Sequence, residues 1–116
     1  MLQTIEAALC ELELPVFYGA ASGVDNASLW NYIVFSNPRT TRSGTNKGFT
    51  DYYSVGIVHE NWVPREIESA VLEKMEQIPG MRLASENVER EYAVKPGTNA
   101  VVEVAVMMFA KPRKRV

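Results

Sequence analysis

Apolar residues recur at helical spacing at the start of the chain. Leu2, Ile5, Leu9 and Leu12 share one stripe, with Glu6 and Glu13 elsewhere on the wheel. This predicts a short amphipathic helix. Pro15 ends it, because proline cannot continue the backbone ladder. Val16-Phe17-Tyr18 then reads as a short strand, broken by the turn-forming run Gly19-Ala20-Ala21-Ser22-Gly23. Leu29 to Phe35 concentrates aromatic and β-branched residues (Trp30, Tyr32, Ile33, Val34, Phe35) and predicts a second strand, stopped by Ser36-Asn37-Pro38. The stretch from Arg39 to Gly48 contains no apolar residue. It has nothing to bury, so residues 38–48 are expected to form a mobile loop. Loops of this length are often functional.

Phe49 to Glu60 alternates Tyr53, Val55 and Ile57 with Tyr52, Ser54, Gly56 and Val58, the period of a long strand. Asn61-Trp62-Val63 exits it, and Pro64 suits the first position of a helix. Ile67, Val71, Leu72, Met75 and Ile78 form that helix's apolar stripe, while Arg65, Glu66, Glu68, Glu73, Lys74 and Glu76 form its wet face. Glu66 and Glu68 lie in the first turn, where carboxylates favour the positive end of the helix dipole. Pro79-Gly80 closes it. Met81 to Ala84 leads to two final strands, roughly Val88 to Lys95 and Val101 to Ala110, joined by a turn at Pro96-Gly97-Thr98-Asn99.

The resulting order is helix, three strands, helix, two strands. The simplest fold is α+β: a mixed or antiparallel sheet of four to five strands with both helices packed on one face. The last strand is mostly apolar on both faces, Val102, Val104, Val106 and Met108 alternating with Val101, Glu103, Ala105, Met107 and Phe109. Such a strand belongs at a sheet centre or a subunit interface. Tyr52, Val58, Val101 and Phe109 point to a second sheet face that is not polar, and hence to oligomerisation.

Size and composition fit one domain over residues 1–116. The chain is 47% hydrophobic and 22% charged, ordinary globular values. A single cysteine, Cys10, forms no internal disulfide. No apolar run approaches the ~20 residues of a membrane span, and the first residues lack a signal peptide's basic start and apolar core. A cytoplasmic origin without membrane contact is expected.

Charge changes the picture more than composition does. The net charge of −2 conceals two basic segments without acids. One carries Arg39, Arg42 and Lys47; the other is a C-terminal tail, 111–116, with Lys111, Arg113, Lys114 and Arg115. These hold seven of the twelve basic residues, leaving five against fourteen acids in the rest of the chain, a balance of −9. An acidic body with two basic extensions suits pairing with a like copy or an acidic partner, although two solvated ends would read the same way.

Candidate chemistry is sparse. His59 is the only histidine and has no cysteine pair or second histidine to complete a metal site. Its neighbour Glu60 points to the opposite strand face. Cys10, near the end of the first helix, reads as a half-buried, inert thiol. Gly44 and Gly48 flank Thr45-Asn46-Lys47, but a phosphate loop needs Gly-Lys-Ser/Thr leading into a helix. No catalytic, cofactor-binding or metal-ligating residues are assigned. Glu103, inside an apolar strand, reads as an intersubunit partner of a basic loop rather than a shifted acid. Lys111 to Arg115 offers phosphate contacts, but the aromatics lie at strand positions away from it and the net charge is negative.

In this order the elements resemble the tail-terminator, or tail-completion, proteins of long-tailed bacteriophages. The resemblance is carried by the helix Leu2-Gln3-Thr4-Ile5-Glu6-Ala7-Ala8-Leu9 and the strand Pro15-Val16-Phe17-Tyr18-Gly19. It continues through the aromatic strand Trp30-Asn31-Tyr32-Ile33-Val34-Phe35 and the polar loop to Tyr52-Tyr53-Ser54-Val55-Gly56-Ile57-Val58. The helix from Pro64 and a hairpin ending Val104-Ala105-Val106-Met107-Met108-Phe109 complete it. It covers nearly the whole chain as a pattern of elements, with no single diagnostic motif.

The resemblance implies a structural, non-enzymatic virion protein, made in the bacterial host cytoplasm and placed at the tail–head junction. Such proteins form a homo-hexameric ring that caps the head-proximal end of the tail tube, stops its growth and offers a surface to the head-completion or connector protein. DNA passes through the opening without sequence-specific binding, and no cofactor is implied. On this reading Arg39, Arg42 and Lys47 form a docking loop, and Glu103, Val104, Val106 and Phe109 a subunit interface. A head-closure or connector neck protein shares this assembly class. A small ligand-binding or enzymatic α+β domain is the reading from a different class, and a nucleic-acid-binding accessory protein a third.

Overall fold

A computed structural model describes residues 1–19, 31–42, 48–84, 87–94 and 99–114. The elements are α1 (Leu2–Cys10), β1 (Val16–Tyr18), β2 (Tyr32–Arg42), β3 (Gly48–Glu60), α2 (Arg65–Glu76), β4 (Arg82–Leu83), β5 (Glu89–Val94) and β6 (Val101–Lys114). They form an α+β fold with one six-stranded sheet, β1-β2-β3-β6-β4, with β5 also paired to β6. β1 runs parallel to β2, and every other pairing is antiparallel. The sheet is therefore mixed, as expected, and has more strands than the four to five read from the sequence. The additional strand is β4, only two residues long and too short to leave a periodic signal.

α1 stops at Cys10, and Glu13 then takes a left-handed conformation (φ 63°) that turns the chain toward β1. Pro64 is the residue before α2 rather than its first helical residue, with extended ψ of 138° and its carbonyl accepting from Ile67 and Glu68 amides. Ile5 and Leu9 of α1 and Val71 and Met75 of α2 are buried on Ile33, Phe35, Tyr53, Val55, Ile57, Ala105, Met107 and Phe109. All of these strand residues belong to one sheet face. Each fully buried large side chain contributes ~1.5–3 kcal/mol, so this helix–sheet layer dominates stability.

No described helix lies over the opposite face. There Tyr32, Val34, Tyr52, Val104, Val106 and Met108 are partly buried, while Val58, Val102 and Ala110 are buried. The expected apolar second face is thus real at Tyr52 and Val58, but not at Phe109 or Val101. Register fixes this: Phe109 pairs with Tyr53 and lies on the helix side, fully buried, and Val101 shares its parity at the strand's exposed end.

The largest departure from expectation concerns the basic segments. Residues 38–42 are not loop; β2 runs on to Arg42, pairing Arg39, Thr40, Thr41 and Arg42 with Tyr52, Asp51, Thr50 and Phe49. Residues 43–47, including Lys47, lie outside the described residues. The C-terminal tail is likewise strand as far as Lys114, pairing Lys111, Pro112 and Arg113 with Asp51, Thr50 and Phe49; Arg115 lies outside the described residues. Polar residues form strands here because β3 supplies a continuous ladder between them. Backbone bonds, not burial, hold these ends.

Candidate functional site

The three strands β2, β3 and β6 outrun the helices and project as a ribbon. β3 alone spans 13 residues, about 40 Å of extended chain at ~3.3 Å per residue, and the longest dimension is 51 Å. The far part of this ribbon, residues 37–42, 48–51 and 111–114, forms an arm. It joins the two basic segments that the sequence keeps about seventy residues apart.

A register shift between Ser36 and Arg39 marks the arm's root. Pro38 sits in this bulge, where a missing amide hydrogen is tolerated. The Asn37 amide, oriented so that its nitrogen meets acceptors, donates to Tyr52 O (2.8 Å) and Arg39 O (3.1 Å) and so fills the bulge. Arg39 lies over the Tyr52 ring at 4.3 Å and Arg113 over Phe49 at 4.8 Å, stacking contacts of the cation–π type. Asp51, nearly buried, is the arm's one acid among the described residues. It accepts from Thr40 Oγ1 (2.6 Å) and Arg113 Nε (2.7 Å), tying all three strands together. Arg42 is exposed and forms no ion pair with another described residue.

At the opposite end of the sheet, a cleft of about 500 Å³ opens between the start of α2 and β5. Trp62, Val63, Pro64, Arg65, Glu66, Arg90, Tyr92 and Glu103 line it. Asn61, left-handed at φ 73° and bonded through its amide to Val101 O (2.7 Å), turns the chain out of β3 and presents Trp62. Trp62 and Tyr92 are 69% and 63% exposed, unusual for large aromatics without a partner.

Behind them lies a charge network. Arg90 Nη1 lies 2.6 Å from Glu68 Oε1 and 3.3 Å from Glu103 Oε1, and Arg65 Nη1 is 3.5 Å from Glu68 Oε2. Glu103 Oε1 also accepts from the Val63 amide at 3.0 Å. That amide bond holds the Glu103 carboxyl below its ordinary range against the opposing effect of burial, helped by the Tyr92 hydroxyl and the Arg90 charge. The bond to Glu68 pushes the Arg90 guanidinium further up, and donation to Glu103 pushes the Tyr92 phenol up.

The expected interface residues divide. Val104 and Val106 lie on the sheet face over which no described helix packs and are partly exposed. Phe109 is core, so it is not available to a neighbour. Glu103 is satisfied by Val63, Arg90 and Tyr92 of its own chain, so it needs no neighbour's basic loop to neutralise it. In the tail, Lys111 lies along Gly80, its Nζ 3.6 Å from where a Cβ would sit. The arm and the Trp62–Tyr92 cleft were not assembled from sequence. Arg90 and Glu103 are thirteen residues apart, and only the β5–β6 register brings them together.

His59 pairs in register with Glu103, but its Nδ1 faces Glu60 O at 2.9 Å and it does not line the cleft. Cys10 is exposed rather than half-buried, because α1 turns Ile5 and Leu9 inward and leaves Cys10 on the outer side. Among the described residues no group of three His, Cys, Asp or Glu side chains could hold a metal ion, and no helix is long and apolar enough to cross a membrane. No protein-family model matches the chain, and no curated protein matches it.

Proposed function

We propose that this protein is a structural assembly subunit of the tail-terminator type. It would form a closed ring on the head-proximal end of a phage tail tube, stop tube growth, offer a surface to a head-completion or connector protein, and let DNA pass through the opening. The observation that carries this reading is the sheet face over which no described helix lies, where Val34 of β2 and Val104, Val106 and Met108 of β6 are partly exposed. Apolar area of this kind gains most when a second chain covers it. The order of helix, short strand, long hairpin, helix and closing hairpin supports the terminator within that class.

The cleft was the feature most favourable to a ligand-binding or enzymatic domain. Glu68 and Glu103 are paired with Arg65 and Arg90, Glu66 lies at the exposed rim, and the lone histidine stands outside the cleft. A proton-transfer site needs a group poised within reach of a substrate, so a docking surface is the better account.

The test is to mix the purified protein with purified tail tubes and filled heads of the virus that encodes it and view them by electron microscopy. Density capping one end of the tube is the expected result. Binding to filled heads alone identifies a head-closure protein instead. Binding to neither overturns the phage assignment.

A further inference from the structure

We infer that the basic arm of one copy docks in the Trp62–Tyr92 cleft of the next, so that copies join head to tail. This deepens the assembly reading above and rests on it.

The two surfaces lie at opposite ends of the long axis. β3 begins in the arm at Gly48 and ends beside the cleft at Glu60. Their charges are complementary. The arm's described side chains carry Arg39, Arg42, Lys111 and Arg113 against Asp51 alone. The cleft and the network behind it carry Glu66, Glu68 and Glu103 against Arg65 and Arg90. An anion would meet excess negative charge there. A guanidinium would meet two exposed aromatic faces and a carboxylate rim, the surroundings in which arginine stacks. At about 500 Å³ the cleft has room for a long side chain.

The arm has such side chains to give. Arg113 is committed to Asp51, but Arg42 is exposed, Arg39 is exposed where it lies over Tyr52, and both extend from a strand with no described strand on its outer side beyond Phe35. One chain's arm cannot reach its own cleft, since a rigid three-stranded ribbon separates them. The contact is therefore heterologous: it closes a ring if the rotation between copies allows, and otherwise extends a filament. Its strength falls with salt, as expected for charges at an exposed surface.

Two variants test it. Arg39→Glu with Arg42→Glu disables the arm, and Trp62→Ala with Glu66→Lys disables the cleft. All four positions are exposed, and circular dichroism checks that each variant folds. By sedimentation velocity at low salt, each variant alone should associate at least tenfold more weakly than the parent chain. Mixed in equal amounts, they should form a dimer and nothing larger, because one intact arm meets one intact cleft and no free pair is left. Variants that assemble like the parent chain overturn the head-to-tail contact but leave the ring reading standing. A parent chain that stays monomeric both alone and on tail tubes overturns both. An arm variant that assembles normally but loses affinity for a short DNA duplex shows that the arm reads phosphates, and the inference falls.

Discussion

Replacing Arg90 with methionine removes the cation lodged between Glu68 and Glu103, two carboxylates whose side chains are each only 10% exposed. Breaking a buried ion pair by deleting one partner costs ~3–5 kcal/mol. Arg90 is itself 22% exposed, and the Val63 amide and Arg65 still face the carboxylates. Water and these partners offset part of the loss, so about 2–3 kcal/mol is expected at neutral pH. The sign of the pH dependence follows from the same contacts. In the parent chain Glu103 is held below its ordinary range, so its stabilisation is present above the unfolded-state value and lost as pH falls through the folded one. Without Arg90, one of the charges that hold the Glu103 carboxyl down is gone, so that carboxyl moves up toward its ordinary range. The variant's deficit is then full at neutral pH and shrinks in the acid range where Glu103 accepts its proton, earlier in the variant than in the parent. Urea unfolding followed by tryptophan fluorescence reads this directly. With a slope of ~1.5 kcal/mol per molar urea, the midpoint drops by roughly 1.3–2 M at pH 7 and by less at pH 4. A midpoint change under about 0.3 M at pH 7, or a deficit that is the same at both pH values, refutes the assignment of this network as mutually stabilising.

Phe109→Ala should destabilise the subunit by ~3–5 kcal/mol, as loss of a fully buried phenylalanine does; thermal unfolding measures it, and a stable, fully folded monomer would place Phe109 at an interface after all. Val104→Asp lies on the face away from the helices at a partly exposed position, so it should leave a folded subunit by circular dichroism that fails to assemble by light scattering. Normal assembly of that variant would show that this strand position stays in water. Two glycines give opposite outcomes in urea titrations. Gly80→Ala should cost ~1 kcal/mol, because φ there is +81°. Gly56→Ala should be neutral or stabilising by up to ~1 kcal/mol, because its Cβ would meet only Val34 O at 3.7 Å and Val104 Cγ1 at 3.9 Å, ordinary contacts.

The helices and central strands were legible because burial imposes a period. Ile5 and Leu9 on α1, Val71 and Met75 on α2, and Tyr53, Val55 and Ile57 on β3 all sit where their spacing puts them. The arm was not legible for the converse reason. Arg39 to Arg42 and Lys111 to Lys114 are strand through backbone pairing with β3, and hydrogen bonding to a neighbour leaves no hydrophobic pattern. Composition read as loop there, and Ser36-Asn37-Pro38 read as a strand stop where the strand only bulges and runs on. Glu103 was singled out correctly as an unusual charge in an apolar strand, yet its partners were misassigned. Spacing along the chain cannot reveal that β5 brings Arg90 alongside it.

The charge split took its meaning from topology. Two basic segments at separate places in the sequence are flexible extensions if each stands alone, and their reach is then undefined. Paired on either side of β3 they become one stiff projection, held by Asp51 and stacked on Tyr52 and Phe49. A stiff arm loses less conformational entropy on docking than a loop does, so more of its electrostatic attraction survives as affinity. The same strand that carries the arm ends at the acidic, aromatic cleft, so its length sets the distance between the two surfaces. Shortening β3 would therefore alter the spacing of copies in an assembly without touching either contact. In such a design the sheet acts as a ruler, and the helices serve chiefly to keep it folded.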